Sequence, residues 1–304
     1  MPKKKKIKYL KGKGISKIIS VPNQQVLKRN QNLEYYKNIF YQCGKCGTCR
    51  TAYQDSWARI CPSGEFGKFE SYYLGGKNLL TWAVFSGRLK WTDNLSKIFY
   101  HCTLCLACTQ QCQIAEIHHY AGEWLMAMRE EAVRNGFGPM PAHQKYTEHI
   151  VKANNPYMEK HEDRLNWLPP NIKQSNDAKL AYFVGCTSSY REKGVAVATV
   201  KILTALGIDF KILKDESCCG SPVYMTGQTE IAKKIAEKNV ALFKNAGIEK
   251  IITSCAGCYR ALKDIYPNKF GIKHGIEIIH LPCLLYTSDA ADELDGVDLG
   301  GRRI

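Results

Sequence analysis

Cysteine is the residue type in this sequence best suited to chemistry. There are 14 in 304 residues, and spacing sorts thirteen of them into three groups. The first is Cys43-x2-Cys46-x2-Cys49, followed at a distance by Cys61-Pro62. The second is Cys102-x2-Cys105-x2-Cys108-x3-Cys112. The third is Cys186, the adjacent Cys218-Cys219, and Cys255-x2-Cys258. Three thiolates at x2 spacing let one tight loop reach three irons of a cubane, and the fourth ligand must arrive from elsewhere. Tandem motifs of this kind exchange their fourth ligand. The spacing therefore assigns Cys43, Cys46, Cys49 and Cys112 to one [4Fe–4S] cluster, and Cys102, Cys105, Cys108 and Cys61 to a second. Gly44 and Gly47 are expected to let the first loop curl so that its N–H groups face the sulfurs. Zinc is the competing metal, but it favours a tetrahedron built from two Cys-x2-Cys pairs. Two one-electron centres side by side form a wire rather than a catalyst. The third group has more cysteines than one cubane needs; by spacing alone, an ordinary cubane or a zinc site using four of the five stays open.

Composition sets the frame for these groups. With 45 % apolar and 23 % charged residues, the chain can bury a core and is not wholly disordered. No apolar run is long enough for a membrane-spanning helix, and the N-terminus lacks the apolar core of a secretory signal. Reduced thiols in a cytoplasmic setting follow as the expectation. The formal charge of +15 is uneven. Ten Lys and Arg and no acid fall in residues 1–29, so residues 1–31 read as a basic arm. A solvated tail is the plain reading of it; anionic lipid, an acidic partner or nucleic acid are the functional ones. A basic zinc- or nucleic-acid-binding module is thus an alternative for the whole chain, although the cysteine spacing argues for redox work and against nucleic acid.

The elements that must position the cysteines differ between the two halves. Residues 32–138 are expected to form a helical two-cluster ferredoxin domain. It begins with a short helix over 32–42, has two or three short helices across 66–100 around a Gly75-Gly76 break, and carries an amphipathic helix over 119–135 ending at Gly136. Residues 139–178 are polar with few periodic apolar positions and read as a linker. From 179 to 282, strand and helix alternate. Strands are expected at AKLAYFVGC, IDFKILKD, EKIITSC and IEIIH, with helices between them and a short one at 257–265, implying a parallel sheet. The fold class is therefore α+β and multidomain: the helical ferredoxin domain followed by an α/β, Rossmann-like cysteine-rich domain. Its cysteines gather at the carboxyl edge of the sheet, where open α/β sheets bind ligands. Residues 283–304 depart from this texture, with five acids against two arginines. CLLYTSDAADE resembles a translated sequencing adapter, so these residues are read as a non-native tail, Cys283 included.

Other candidates have plainer readings. His118 and His119 are expected at the surface or a helix cap, and His101 as a packing neighbour of Cys102. Tyr72, Tyr73, Trp82, Phe85 and Trp91 could face a quinone, a cytochrome or lipid, but an aromatic core around the clusters is simpler. No GxGxxG follows a strand and no Walker loop is present, so a nucleotide or flavin would belong to a partner.

The Cys218-Cys219-Gly220 triplet and the spacing of the third group resemble the cysteine-rich domain found in the D-type and B-type subunits of heterodisulfide reductases. The same domain recurs in iron–sulfur subunits of glycolate, lactate and anaerobic glycerol-3-phosphate dehydrogenases. Asn155-Pro156-Tyr157, Arg164, Trp167 and His280 add to the resemblance, which spans about residues 35–282. It implies that Cys186, Cys218, Cys219, Cys255 and Cys258 are catalytic ligands of a third, non-cubane [4Fe–4S] cluster that cleaves or forms a disulfide in one-electron steps. It implies a disulfide or thiol substrate. It also implies a redox partner, which would be a b-type cytochrome, a flavoprotein or a ferredoxin-linked protein. Peripheral association with the cytoplasmic membrane face would run through that partner. Family members carry two such domains where this sequence has one. The resemblance also allows an electron-transfer subunit of a flavin-linked dehydrogenase.

Overall fold

A computed structural model describes residues 33–52 and 58–286. The basic arm and residues 287–304 of the acidic tail lie outside the described residues. Between Leu33 and Arg134 the described residues are mainly helical, because their apolar residues recur at 3–4 residue intervals and no strand-length alternation competes. A 3₁₀ turn at Leu33–Tyr36 continues into Lys37–Phe40. The first cysteine loop follows, and a ribbon pairing Thr51–Ala52 with Ala58–Arg59 closes it. Helix α1 is Leu74–Phe85, α2 is Asp93–Tyr100 and α3 is Ala115–Arg134. Thr92 caps α2 through its hydroxyl, which accepts from the Leu95 N–H at 3.2 Å.

Gly75 and Gly76 do not break the chain; they lie in the first turn of α1. A Cβ at Gly76 would stand 2.0 Å from the Glu70 carbonyl oxygen, so the glycine serves close backbone approach rather than a turn. The core of this half gathers Phe40, Tyr73, Leu74, Leu95, Phe99, Trp124 and Met128, with Trp82, Phe85 and Trp91 packed on it.

The segment 139–178 connects the halves, yet it is not irregular. It holds α4, Pro141–Ala153, and a 3₁₀ turn at His161–Leu165. Pro at the first turn of α4 starts it favourably. The amphipathic signal is thin because the helix buries only Thr147 and Ile150.

In the second half, β1 (Leu180–Phe183), β2 (Lys250–Thr253) and β3 (Glu277–His280) form a parallel sheet in that order. The helices α5, Lys193–Ala205, and α6, Thr229–Asn245, lie in the crossover between β1 and β2. The strand expected over 208–215 shrinks to one bridge, Lys211 beside Ala181. There the Lys211 carbonyl accepts from Tyr182 N at 2.9 Å, and its N–H donates to Leu180 O at 3.0 Å. Polar Lys214 and Asp215 then carry the chain away toward Glu216. The helix expected at 257–265 begins as an α-turn, Ala256–Arg260, and continues as a π-helix, Ala261–Lys269. Alternate strand residues feed two cores. Ala181, Phe183, Ile251 and Ile278 face one, and Tyr182, Val184 and Ile252 the other.

The two halves meet along α3 and the turn before α6. Tyr100 Oη donates to Thr226 O at 2.9 Å, and Arg129 Nη1 to Met225 O at 2.6 Å. Gly227 has φ of +83°, and a Cβ there would lie 2.5 Å from the Arg129 carbonyl oxygen. Among the described residues, no helix is long and apolar enough to cross a membrane.

Candidate metal centres

Three places in the fold collect the thirteen cysteines. In the first, Cys43, Cys46, Cys49 and Cys112 line a cavity of about 200 Å³ together with Arg50, Glu70 and Gly75. The loop curls through left-handed backbone at Lys45 (φ 52°) and Gly47 (φ 81°). Gly44, expected to share that role, is not in the left-handed region. Burial pushes the Cys49 thiol up, partly offset by the backbone of Gly75. Contact of Cys46 Sγ with Thr48 Oγ1, at 3.2 Å, pulls the Cys46 thiol down.

In the second, Cys61, Cys102, Cys105 and Cys108 line a tighter cavity, about 20 Å³, with Ser63, Leu104 and Leu125. Its loop repeats the backbone of the first: Leu104 (φ 55°) and Leu106 (φ 61°) occupy the left-handed positions of Lys45 and Gly47. Cys61 reaches it from the start of the helix Pro62–Gly67, where its sulfur accepts from the Gly64 N–H at 3.3 Å. Burial first, then the negative charge of neighbouring Cys102 and Cys61, push the Cys108 thiol up. His101 stacks on Phe66 with ring centres 4.6 Å apart, and His118 and His119 lie on α3, outside the lining of both cavities.

In the third, the five thiols of Cys186, Cys218, Cys219, Cys258 and Cys255 touch in that order. Cys186 begins the helix after β1, where Gly185 (φ 77°) leaves room for the Cys258 sulfur, 3.1 Å from where its Cβ would be. Gly220 (φ 75°) turns the chain directly after Cys219. Contact with Cys258 lowers the Cys255 thiol to about 5, and contact with Cys218 then Cys258 lowers Cys219 to about 5. Cys186 and Cys258 move up, chiefly through contact with Cys218 and Cys219 respectively. His280, its ring tilted at 32° to that of Tyr259 with centroids 5.4 Å apart, also favours the Cys255 thiolate. Thiolate is the ligating form of cysteine.

The frame around this third group is buried and tied by hydrogen bonds. Glu216 pairs with Arg164, both 1 % exposed, and accepts from the Val184 and Gly185 N–H groups at 2.9 and 2.8 Å. This clamps the Cys186 turn to the Cys218 turn. Asn239 Nδ2 donates to Cys218 O and Tyr266 Oη to Cys219 O, both at 2.9 Å. The carbonyl of Asn154, a residue in left-handed conformation, accepts from the Cys218 N–H at 2.8 Å and lies 3.8 Å from Cys186 Sγ. Glu216, Asn154, Asn239 and Tyr266 escape a reading of motifs, since no spacing marks them.

One residue near the first two groups also escapes it. Lys77 on α1 is 1 % exposed and donates to Ser63 Oγ at 2.9 Å and to the Tyr72 carbonyl. Its only sequence signal is a lone lysine in the run LGGKNLLTW.

The donor sets suit iron–sulfur clusters: two sets of four thiols and one of five. Two domain families match parts of the chain. Residues 39–115 match the 4Fe-4S dicluster domain, and residues 180–263 match the cysteine-rich domain called CCG. The D subunit of dihydromethanophenazine:CoB–CoM heterodisulfide reductase from Methanosarcina mazei is 36 % identical over 59 % of this chain and 44 % of its own length. The B subunit of fumarate reductase (CoM/CoB) from Methanothermobacter marburgensis is 29 % identical over 64 % of this chain and 37 % of its own. EtfAB:quinone oxidoreductase from Syntrophomonas wolfei is 29 % identical over 60 % of this chain and 28 % of its own. The chain spans less than half the length of each of these relatives. No solved structure matches it.

Proposed function

We propose that this chain, which resembles the D-type component of heterodisulfide reductases and carries a 4Fe-4S dicluster domain ahead of a cysteine-rich domain, is an electron-transfer subunit of an oxidoreductase. Cys43, Cys46, Cys49 and Cys112 hold one [4Fe–4S] cluster, and Cys61, Cys102, Cys105 and Cys108 another. Cys186, Cys218, Cys219, Cys255 and Cys258 hold a third, of the non-cubane kind, at the carboxyl edge of a Rossmann-like sheet. The observation that carries this reading is the gathering of thirteen cysteines, scattered from residue 43 to residue 258, at three places.

When bound, the clusters supply one-electron transfer, and two electrons with two protons turn a disulfide into two thiols. The protein's own part is positioning. Left-handed turns aim three sulfurs of each loop at one cavity, and the Arg164–Glu216 clamp holds the third set rigid. A redox partner, a b-type cytochrome, a flavoprotein or a ferredoxin-linked protein, would deliver or remove electrons, and the chain would work in the cytoplasm or at its membrane face. The relation to EtfAB:quinone oxidoreductase favours a second reading, an electron carrier to or from a flavoprotein with no disulfide chemistry of its own.

Iron, acid-labile sulfide and EPR spectra of anaerobically purified full chain test the proposal. About eight irons in two cubanes plus a third centre whose signal changes on adding a thiol are expected. A third centre blind to thiols would leave the carrier reading, and zinc without sulfide would overturn both.

A further inference from the structure

We propose that Lys77, seconded by Arg129, holds the cluster of the second loop at a higher reduction potential than the cluster of the first, making the second the place where a first electron rests. The inference depends on the cluster reading above. It starts from two buried cations without acidic partners. Lys77 is 1 % exposed and Arg129 6 %. Among the described residues neither forms an ion pair with a carboxylate. Burying an unpaired ammonium or guanidinium is costly, and such charges normally have a counter-charge.

Their neighbours show where that counter-charge would be. The Lys77 ammonium donates to the Tyr72 carbonyl, and Cys61 Sγ lies 3.9 Å from the same oxygen. Its second partner, Ser63, lines the second cavity. Arg129 donates through Nη2 to the carbonyl of Cys102 and through Nε to Phe99 O at 3.3 Å. Burial pulls the Lys77 ammonium down, and the anions that oppose this are Cys102, Cys61 and Cys108 of the second set, then Cys49 of the first.

Among the described residues, the lining of the first cavity has no buried cation: Lys45 on it is exposed, and Arg50 is paired with Glu70 on the same lining, both side chains more than two-fifths exposed. Each loop exposes its middle cysteine, Cys46 and Cys105, so water reaches both loops. The buried cations sit beside only one of them. A cluster gains one negative charge on reduction, and an unscreened buried cation favours that state.

Potentiometric titration of the full chain, followed by EPR, tests this on Lys77→Met and Lys77→Arg. In the Met variant the higher of the two cubane couples should fall. At the wild-type midpoint its ratio of reduced to oxidised cluster should drop about tenfold, or about 59 mV for one electron. The lower couple should stay in place, and Lys77→Arg should recover most of the loss. An unmoved higher couple in a variant with wild-type iron and sulfide, or a larger movement of the lower couple, would overturn the inference. Should the Met variant lack a cluster, Ser63→Ala is read the same way. It frees the ammonium from the hydroxyl that aims it: a smaller fall of the higher couple supports the assignment, and no movement sinks it. Wild-type chain without two cubanes would instead fail the cluster reading itself.

Discussion

The loops 43–49 and 102–108 trace the same backbone with different residues. Both place left-handed residues at the second position after the first cysteine and the first position after the second. The first loop fills the intervals with Gly, Lys and Thr, and its cavity wall carries Arg50 and Glu70. The second fills them with Thr, Leu and Ala, and its wall carries Leu104, Leu106 and Leu125. Leu104 packs on the cores of both halves of the molecule. The geometry of sulfur presentation is therefore separable from the surroundings. One loop faces a wall that includes the Arg50–Glu70 pair, the other a wall of leucines, one of which, Leu104, also packs on the cysteine-rich half.

The largest effect that could break this comparison is loss of one centre. If the fourth ligands are exchanged, Cys112→Ser should remove the first cluster and spare the second, and Cys61→Ser should do the reverse, each with about four irons lost. Iron analysis and EPR of both variants decide it; loss of the second cluster in Cys112→Ser would return each loop to its own fourth cysteine. A smaller effect sharpens the backbone comparison. Gly47→Ala puts a Cβ on a left-handed residue and should cost about 1–2 kcal/mol. Leu106→Gly should change stability by much less, because relief of the same strain offsets lost packing against Gly122. Anaerobic urea unfolding reads both. The smallest effect concerns the exposed pair of the first loop. Glu70→Gln should cost about 0–1 kcal/mol, diminishing with added salt, in the same unfolding assay.

How far the sequence leads is visible in particular residues. The strands β1, β2 and β3 announce themselves as apolar runs, and α6 shows an amphipathic stripe that the fold buries through Ala232, Ile235, Ala236, Val240 and Phe243. The spacing of the cysteines is enough to sort them into groups. Helix α4 stays hidden because a helix that buries two residues writes almost no pattern. The apolar alternation of 208–215 is real, yet only Lys211 meets a neighbouring strand, so the pattern promises more than the sheet delivers. Lys77 and Arg129 are invisible for a different reason. Their importance lies in lacking an acidic partner, and a missing contact leaves no mark in a sequence.

The Asn154 carbonyl has a practical corollary. It belongs to the connecting segment, yet it holds the amide of Cys218 and touches the sulfur of Cys186. A fragment cut at residue 179 would thus reach solution with its thiol cage open on one side, and any recombinant cysteine-rich half must start upstream of Asn154.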